Sequence, residues 1–186
     1  MKKIGIIALM FFVGHTLNAQ EQNEVDSYKI AFYSKDATGV FKEMTGTVSS
    51  NLPTAESLAE NSDKGAEGKT MNIGFNLQIK VASINTGNGV QNKHAKSSEW
   101  FHAEKYPTID FVSSSVYKTE KGVFADGSLT LHGVTKNVSI PVSIKTTDEK
   151  TIYKAEFSVS RMDYKLGPDS KVSRNIKIIA GIAVKK

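Results

Sequence analysis

The sequence contains no cysteine among its 186 residues. This absence excludes disulfides, a cysteine nucleophile, thiolate metal ligands and a lipid-modified N-terminal cysteine. Stability must then come from an apolar core and from hydrogen bonds. Hydrophobic residues make up 39% of the chain, which is enough for such a core and is not typical of a disordered protein. The length predicts a single compact domain.

Long apolar runs are also missing. Residues 4–13 form an apolar run that is shorter than the roughly 20 residues a membrane-spanning helix needs. Lys2 and Lys3 precede this run, and Ala19 follows it where a signal peptidase would cut. The pattern predicts a signal peptide over residues 1–19, a mature domain over residues 20–186, and a periplasmic or secreted protein. The alternative is a buried N-terminal strand or helix. No transmembrane span is expected after signal removal.

Charge gives little indication of a partner. Removal of Lys2 and Lys3 with the signal lowers the formal net charge from +5 to +3. The remaining lysines are scattered between apolar positions and form no basic stripe. Nucleic acid is therefore not an expected partner, and solvated surface is the preferred interpretation of these lysines.

Alternation of apolar and polar residues is the clearest structural pattern. Every odd position from Met71 to Val81 is apolar, which places these side chains on one face of a strand. The same pattern returns within residues 138–144, 153–159 and 176–184, and more weakly within 28–32, 40–48, 109–117 and 123–131. The sequence therefore predicts an all-β antiparallel fold, and alternation alone fits either a sandwich or a barrel.

Two segments interrupt the alternation. Residues 51–70 are polar and predict a long loop with a short helical turn near residues 55–59. Residues 91–106 contain good helix formers before Pro107 and predict one short helix between strands. Residues 119–122 predict a turn. The dipeptide Asp126-Gly127 is interpreted as part of the strand that follows, because a good turn already precedes that strand.

Residues that commonly carry chemistry form no catalytic or metal-binding pattern. His132, Thr135 and Lys136 lie in a bend that is typical of a hairpin turn, and no G-x-S-x-G elbow is present. On a regular helix, His94 and His102 would lie roughly 12 Å apart, too far for one metal ion. His94 is instead expected to cap the helix or to bond a neighbouring strand. The sequence predicts no enzyme, no catalytic residue, no metal site and no cofactor.

Several of these segments resemble one known family. The motifs are Lys93-His94, the aromatic pair Trp100-Phe101, Tyr106-Pro107, Phe111 with Ser113, and residues 127–136, "GSLTLHGVTK". The upstream "GVFKEMTGTV" and the downstream "FSVSRMDYKLG" resemble the family's flanking strands. In these motifs the chain resembles the YceI-like, polyisoprenoid-binding family.

The resemblance implies a lipocalin-like antiparallel barrel of about eight strands with one short helix. It also implies a hydrophobic channel that holds an isoprenoid or similar long-chain amphiphile without catalysis, for transport, storage or sequestration. The expected partners are a hydrophobic small molecule and, in a homodimer, a second copy of the chain. The candidate channel-lining residues are Phe41, Ile73, Phe75, Leu77, Ile79, Trp100, Phe101, Phe111 and Phe157.

Three questions stay open at this point. The same apolar faces fit a filled barrel that acts through its surface, as an interaction or stress-response module. One of the side chains of Trp100 and Phe101 could close a barrel end while the other packs on its rim, as a gate for a ligand; the alternative is ordinary core packing. Arg161 and Asp163 fit an ion pair between the closing strands, which is preferred over contact with a ligand headgroup.

Overall fold

The computed structural model describes residues 22–50, 69–169 and 172–186. The predicted signal peptide and most of the predicted loop at residues 51–70 lie outside these residues, and so does the helical turn expected near residues 55–59. Within the described part of the chain, no helix is long and apolar enough to cross a membrane.

Strands and short helices follow one another along the chain. The strands are β1 (Gln22–Tyr33), β2 (Thr38–Phe41), β3 (Met44–Ser50), β4 (Lys69–Met71), β5 (Ile73–Lys80), β6 (Ile84–Asn85), β7 (Thr108–Thr119), β8 (Gly122–Leu131), β9 (Val134–Thr146), β10 (Lys150–Ser160) and β11 (Asn175–Lys185). The helices are α1 (Gly89–Lys96) and two 3-10 turns, Val81–Ser83 and Arg161–Tyr164.

Eight of the strands close into an antiparallel barrel. The ring runs β1-β3-β5-β7-β8-β9-β10-β11 and returns to β1. Closure comes from β1, which pairs with β3 near its start and with β11 along the rest of its length. The predicted all-β barrel is confirmed, and the choice between sandwich and barrel is decided by this closing pair.

One end of the barrel is extended. The last residues of β1 pair with β2, and β2 pairs with β6, which leads into α1. The side chain of Asn88 caps α1 by accepting hydrogen bonds from the backbone N–H groups of Val90 and Gln91. These elements sit above the ring and frame the opening described below.

The two hairpin turns behave as the sequence predicts. Residues 119–122 join β7 to β8, and Asp126-Gly127 continues through β8. His132 and Gly133 form a two-residue turn with φ of 52° and 72°, the backbone conformation of a type I′ hairpin. The bend at residues 131–134 therefore connects two barrel strands.

Three predicted segments differ from the structure. The strand predicted over residues 40–48 breaks at Lys42-Glu43, and that over residues 71–81 breaks at Asn72, where pairing with β7 passes from β4 to β5. The predicted helix ends at Lys96, and the chain then turns back through His102. Helix-forming residue types in 97–106 are overridden by these turns.

Candidate ligand-binding channel

The barrel interior is packed at one end and hollow at the other. Val48 and Val116 are fully buried in the packed end, where Phe75 meets Tyr153 edge-on at 5.2 Å. Above them lies a narrow chamber of about 110 Å³, and above that a wide chamber of about 520 Å³. The wide chamber falls in the size range of small-molecule binding sites.

The two chambers form one channel because they share a wall. Six residues line both of them: Ile30, Ile79, Ile109, Leu129, Phe157 and Ile178. We call this shared ring the neck. Its members come from six different barrel strands and face inward by strict alternation, so the neck is a direct product of the period-two pattern.

Small side chains keep the narrow chamber open. Ala155 on β10 and Ala180 on β11 are paired residues, and both line this chamber. Larger side chains at this pair would fill the space, as Phe75 and Tyr153 do one layer further in. The interior is therefore hollow beside these two neighbouring alanines and filled where the aromatic rings meet across the barrel.

The wide chamber meets solvent at a mouth built from three elements. The turn at residues 34–37 forms one side, α1 forms the second, and Leu166 and Val172, which follow the Arg161–Tyr164 turn, form the third. The lining residues Asp36, Val90 and His94 are exposed, which marks this rim as the opening. Val90 is 80% exposed and places an apolar side chain at the lip.

A buried guanidinium organises the third side of the mouth. Arg161 is 0% exposed and donates from Nε to the carbonyl of Ser173 at 3.1 Å, from Nη1 to that of Leu166 at 2.8 Å, and from Nη2 to that of Val172 at 3.0 Å. The preferred sequence interpretation, an Arg161–Asp163 ion pair, is wrong, because Asp163 is exposed and Arg161 binds backbone carbonyls instead.

The aromatic pair lies in turns beyond α1, with both rings against the wide chamber. Phe101 packs edge-on against Phe41 at 5.9 Å between ring centroids. Trp100 donates from Nε1 to Nε2 of His94 at 2.7 Å and lies under the Arg161 guanidinium at 5.5 Å. The expectation that His94 caps α1 or bonds a strand is therefore wrong, because its partner is Trp100.

Titratable groups at the mouth and in the packed end have shifted pKa values. Hydrogen bonds from the Ser173 backbone N–H and hydroxyl lower the pKa of Asp36 below its ordinary value. Burial raises the pKa of Tyr153 in the packed end. Burial, with a smaller contribution from the charge of Asp163, raises the pKa of Tyr164 beside the mouth.

The predicted lining residues are distributed over both chambers. Phe41, Trp100 and Phe101 line the wide chamber; Phe75, Leu77 and Phe111 line the narrow one; Ile79 and Phe157 line both. Ile73 lines neither chamber and packs, partly buried, against the core. Their contact with a ligand stays a prediction.

Sequence reasoning missed part of the lining. Ile30, Ile109 and Ile178 lie at inward positions of the alternating segments 28–32, 109–117 and 176–184, so the alternation was a signal that could have included them. Leu166 follows a 3-10 turn and belongs to no periodic segment, so no sequence pattern indicates its place in the wall.

The residues of the "LHGVTK" bend have structural partners. Nδ1 of His132 lies 3.3 Å from the carbonyl oxygen of Tyr164, and its ring packs edge-on against Tyr106. The hydroxyls of Thr130 and Thr135 are 2.8 Å apart, and Lys136 is exposed. These contacts hold the β8–β9 turn against neighbouring segments. No group of three or more potential metal ligands is found in the described ranges.

Comparison with known proteins finds a matching family model and similar proteins. A family model described as a YceI-like domain matches residues 16–184. A UPF0312 protein of Photorhabdus laumondii is 33% identical over 120 residues, which cover 59% of this chain and 62% of that protein. The match thus spans less than two thirds of that relative's length.

Solved structures share the fold. BcnA from Burkholderia cenocepacia superposes with a TM-score of 0.71, at 22% identity over 86% of this chain and 99% of that one. A polyisoprenoid binding domain from Saccharophagus degradans superposes with a TM-score of 0.61, at 15% identity over 89% of this chain and 98% of that one. These likenesses establish a common barrel architecture.

Proposed function

Since the chain belongs to the family of YceI-like domains, we propose that its barrel holds an isoprenoid or a similar long-chain amphiphile as a non-catalytic carrier or store. The observation that carries this proposal is the continuous apolar channel, in which a wide chamber leads through the neck to a narrow one. The domain from Saccharophagus degradans that shares this fold is itself a polyisoprenoid binding domain.

The energetics of such a channel favour a flexible apolar chain. Each methylene moved from water into the channel contributes about 0.8 kcal/mol, so a tail of many carbons supplies ample affinity. Because the wall is almost entirely apolar, a polar headgroup would stay near Asp36 and His94 at the mouth. The tail would then occupy the neck and the narrow chamber.

We further propose that the protein works after export, in the periplasm or as a secreted protein. The charged start, the short apolar run and the small residue at position 19 support a signal peptide. The absence of cysteine is compatible with that destination, because the barrel is closed by hydrogen-bonded strands and needs no disulfide.

The test is recovery of lipid from the purified protein by organic extraction and mass spectrometry. Phe157→Trp narrows the neck, and Ser158→Trp places the same large side chain on the outer face of the same strand. We expect lipid from the wild type and from the Ser158 variant, and markedly less from the Phe157 variant. A wild-type protein that carries no lipid and takes up none from vesicles containing an isoprenoid alcohol would contradict the proposal.

A further inference from the structure

His94 on α1 accepts a hydrogen bond from Trp100, and this is the one side-chain hydrogen bond between α1 and the aromatic pair in the described part of the chain. The indole N–H has no lone pair to offer, so Trp100 must be the donor and Nε2 of His94 the acceptor. His94 is therefore neutral in this arrangement, with its proton on Nδ1. A protonated imidazole has a proton on both nitrogens and is unable to accept this bond.

A second partner for His94 lies close by. The carboxylate of Glu99 is 3.8 Å from the same Nε2 atom. Neutral His94 gains nothing from an ionised carboxylate at Nε2, whereas protonated His94 forms an ion pair with it. The two protonation states thus have different partners, Trp100 for the neutral ring and Glu99 for the charged one.

Other charged groups surround this pair without replacing either partner. Asp36 faces the chamber from the opposite rim, with its carboxylate bonded to Ser173. Arg161 lies over the Trp100 ring, and its hydrogen bonds go to backbone carbonyls. Lys93 and Lys96 belong to α1 itself and form no ion pair among the described residues.

The position of Trp100 matters because its ring forms part of the wide chamber. One ring face meets Arg161, and the ring packs so closely on Gly167 that a Cβ there would lie 2.6 Å from it. The hydrogen bond to His94 adds the connection to α1. The two rings also pack with their centroids 5.8 Å apart, so loss of the bond removes the directional part of this connection.

We propose that His94 is a positioning residue of the mouth: the neutral ring holds Trp100 against the wide chamber, and the protonated ring turns to Glu99 and loosens this wall. The consequence for cargo, faster exchange in mild acid, rests on the proposed function. The hydrogen bond between His94 and Trp100 does not depend on that function. Histidine is the side chain that ordinarily changes charge between about pH 5 and pH 8.

Trp100 is the only tryptophan of the chain, so intrinsic fluorescence reports this contact directly. We expect the emission of ligand-free protein to change reversibly between about pH 5 and pH 8. His94→Gln supplies a neutral acceptor at every pH and should abolish the change, while His102 and His132 remain as internal controls.

The cargo readout uses a dansyl-labelled farnesol as the probe. Release from the wild type should be about three- to tenfold faster at pH 5 than at pH 8, the range expected for one lost hydrogen bond. His94→Gln should release slowly at both pH values, and His94→Ala and Trp100→Phe quickly at both.

The two readouts separate the possible failures. A wild-type emission that does not change with pH, or a change that persists in His94→Gln, would overturn this inference while leaving the proposed function intact. A normal emission change in a protein that never binds the probe would leave the His94 contact standing and would count against the lipid channel.

Discussion

The carboxylate of Asp36 accepts two hydrogen bonds from Ser173, a residue 137 positions later: the backbone N–H donates at 2.7 Å and the hydroxyl at 2.9 Å. The carbonyl of the same Ser173 accepts from the buried Arg161. One residue thus joins the turn after β1 to the connection between β10 and β11. Two sides of the channel mouth are held together by this relay.

The Asp36–Ser173 contact predicts a stability difference that depends on pH. The pKa of Asp36 is lowered because both Ser173 groups donate to the charged carboxylate. Folding therefore favours the ionised carboxylate. Its contribution to the free energy of unfolding is present above about pH 4 and is lost as the pH falls through the pKa of Asp36 in the folded protein. Asp36→Asn should lower the melting temperature at pH 7, and the difference from wild type should shrink toward about pH 3.

The matched control for this experiment is Asp148→Asn, in the exposed turn between β9 and β10. Melting curves followed by circular dichroism should show no pH-dependent difference for this variant. If Asp36→Asn and wild type differed equally at pH 7 and at about pH 3, ionisation of the carboxylate would not contribute to the stability of this contact.

Arg161 should be far more sensitive to a conservative change than an exposed arginine. Lysine has one ammonium group, which is unable to reach three diverging carbonyls, and each buried polar group left unpaired costs about 1–3 kcal/mol. Arg161→Lys should lower the free energy of unfolding in urea by about 2–4 kcal/mol.

Arg174→Lys provides the comparison, because Arg174 pairs with Asp169 on the exposed surface. Its effect should stay below about 1 kcal/mol. Equal effects of the two substitutions would mean that the buried hydrogen bonds of Arg161 contribute little to stability.

Two glycines of the barrel should respond to alanine in opposite directions. Gly127 lies opposite the bulge in β7, and a Cβ there would lie 2.7 Å from the Cα of Ser113. Gly181 has open space where its Cβ would go. Gly127→Ala should destabilise by about 1–3 kcal/mol through overpacking, and Gly181→Ala should be neutral or stabilise by about 0.4–1 kcal/mol. Urea unfolding of both variants tests this; destabilisation of the same size in both would refute the backbone contact at Gly127.

The narrow chamber predicts a limit on ligand length. Ala155→Phe fills part of the narrow chamber below the neck and leaves the lining of the wide chamber unchanged. Mass spectrometry of bound lipid should then show a shorter maximum tail, with short ligands still bound. Ser143→Phe, on the exposed face of the neighbouring β9, should keep the wild-type lipid profile. An unchanged profile in Ala155→Phe would mean that the tail does not enter this chamber.

Much of the barrel follows from alternation, because period two decides which side chains point inward. The patterns within residues 138–144, 153–159 and 176–184 each lie inside an observed strand. The first half of β1 is polar and was missed, since its place depends on pairing with β3 rather than on an apolar face. Closure of the ring likewise depends on that long-range pairing.

The channel itself was beyond prediction from local pattern. Alternation predicts that Ala155, Phe75 and Phe157 face inward, but it does not predict which side chains meet across the barrel. The hollow results from two alanines that are paired across strands, and the packed end from two aromatic rings that meet. The mouth was missed for the same reason: Arg161, Ser173 and Asp36 meet only after the chain has folded.

The most direct test of a lipid-holding channel is a crystal structure of the wild-type protein grown with a long isoprenoid alcohol. The account predicts continuous electron density that begins at the mouth beside Trp100, passes Phe157 at the neck and ends beside Ala155 and Ala180. Density confined to the outer surface, with the neck closed and the narrow chamber without a tail, would contradict it.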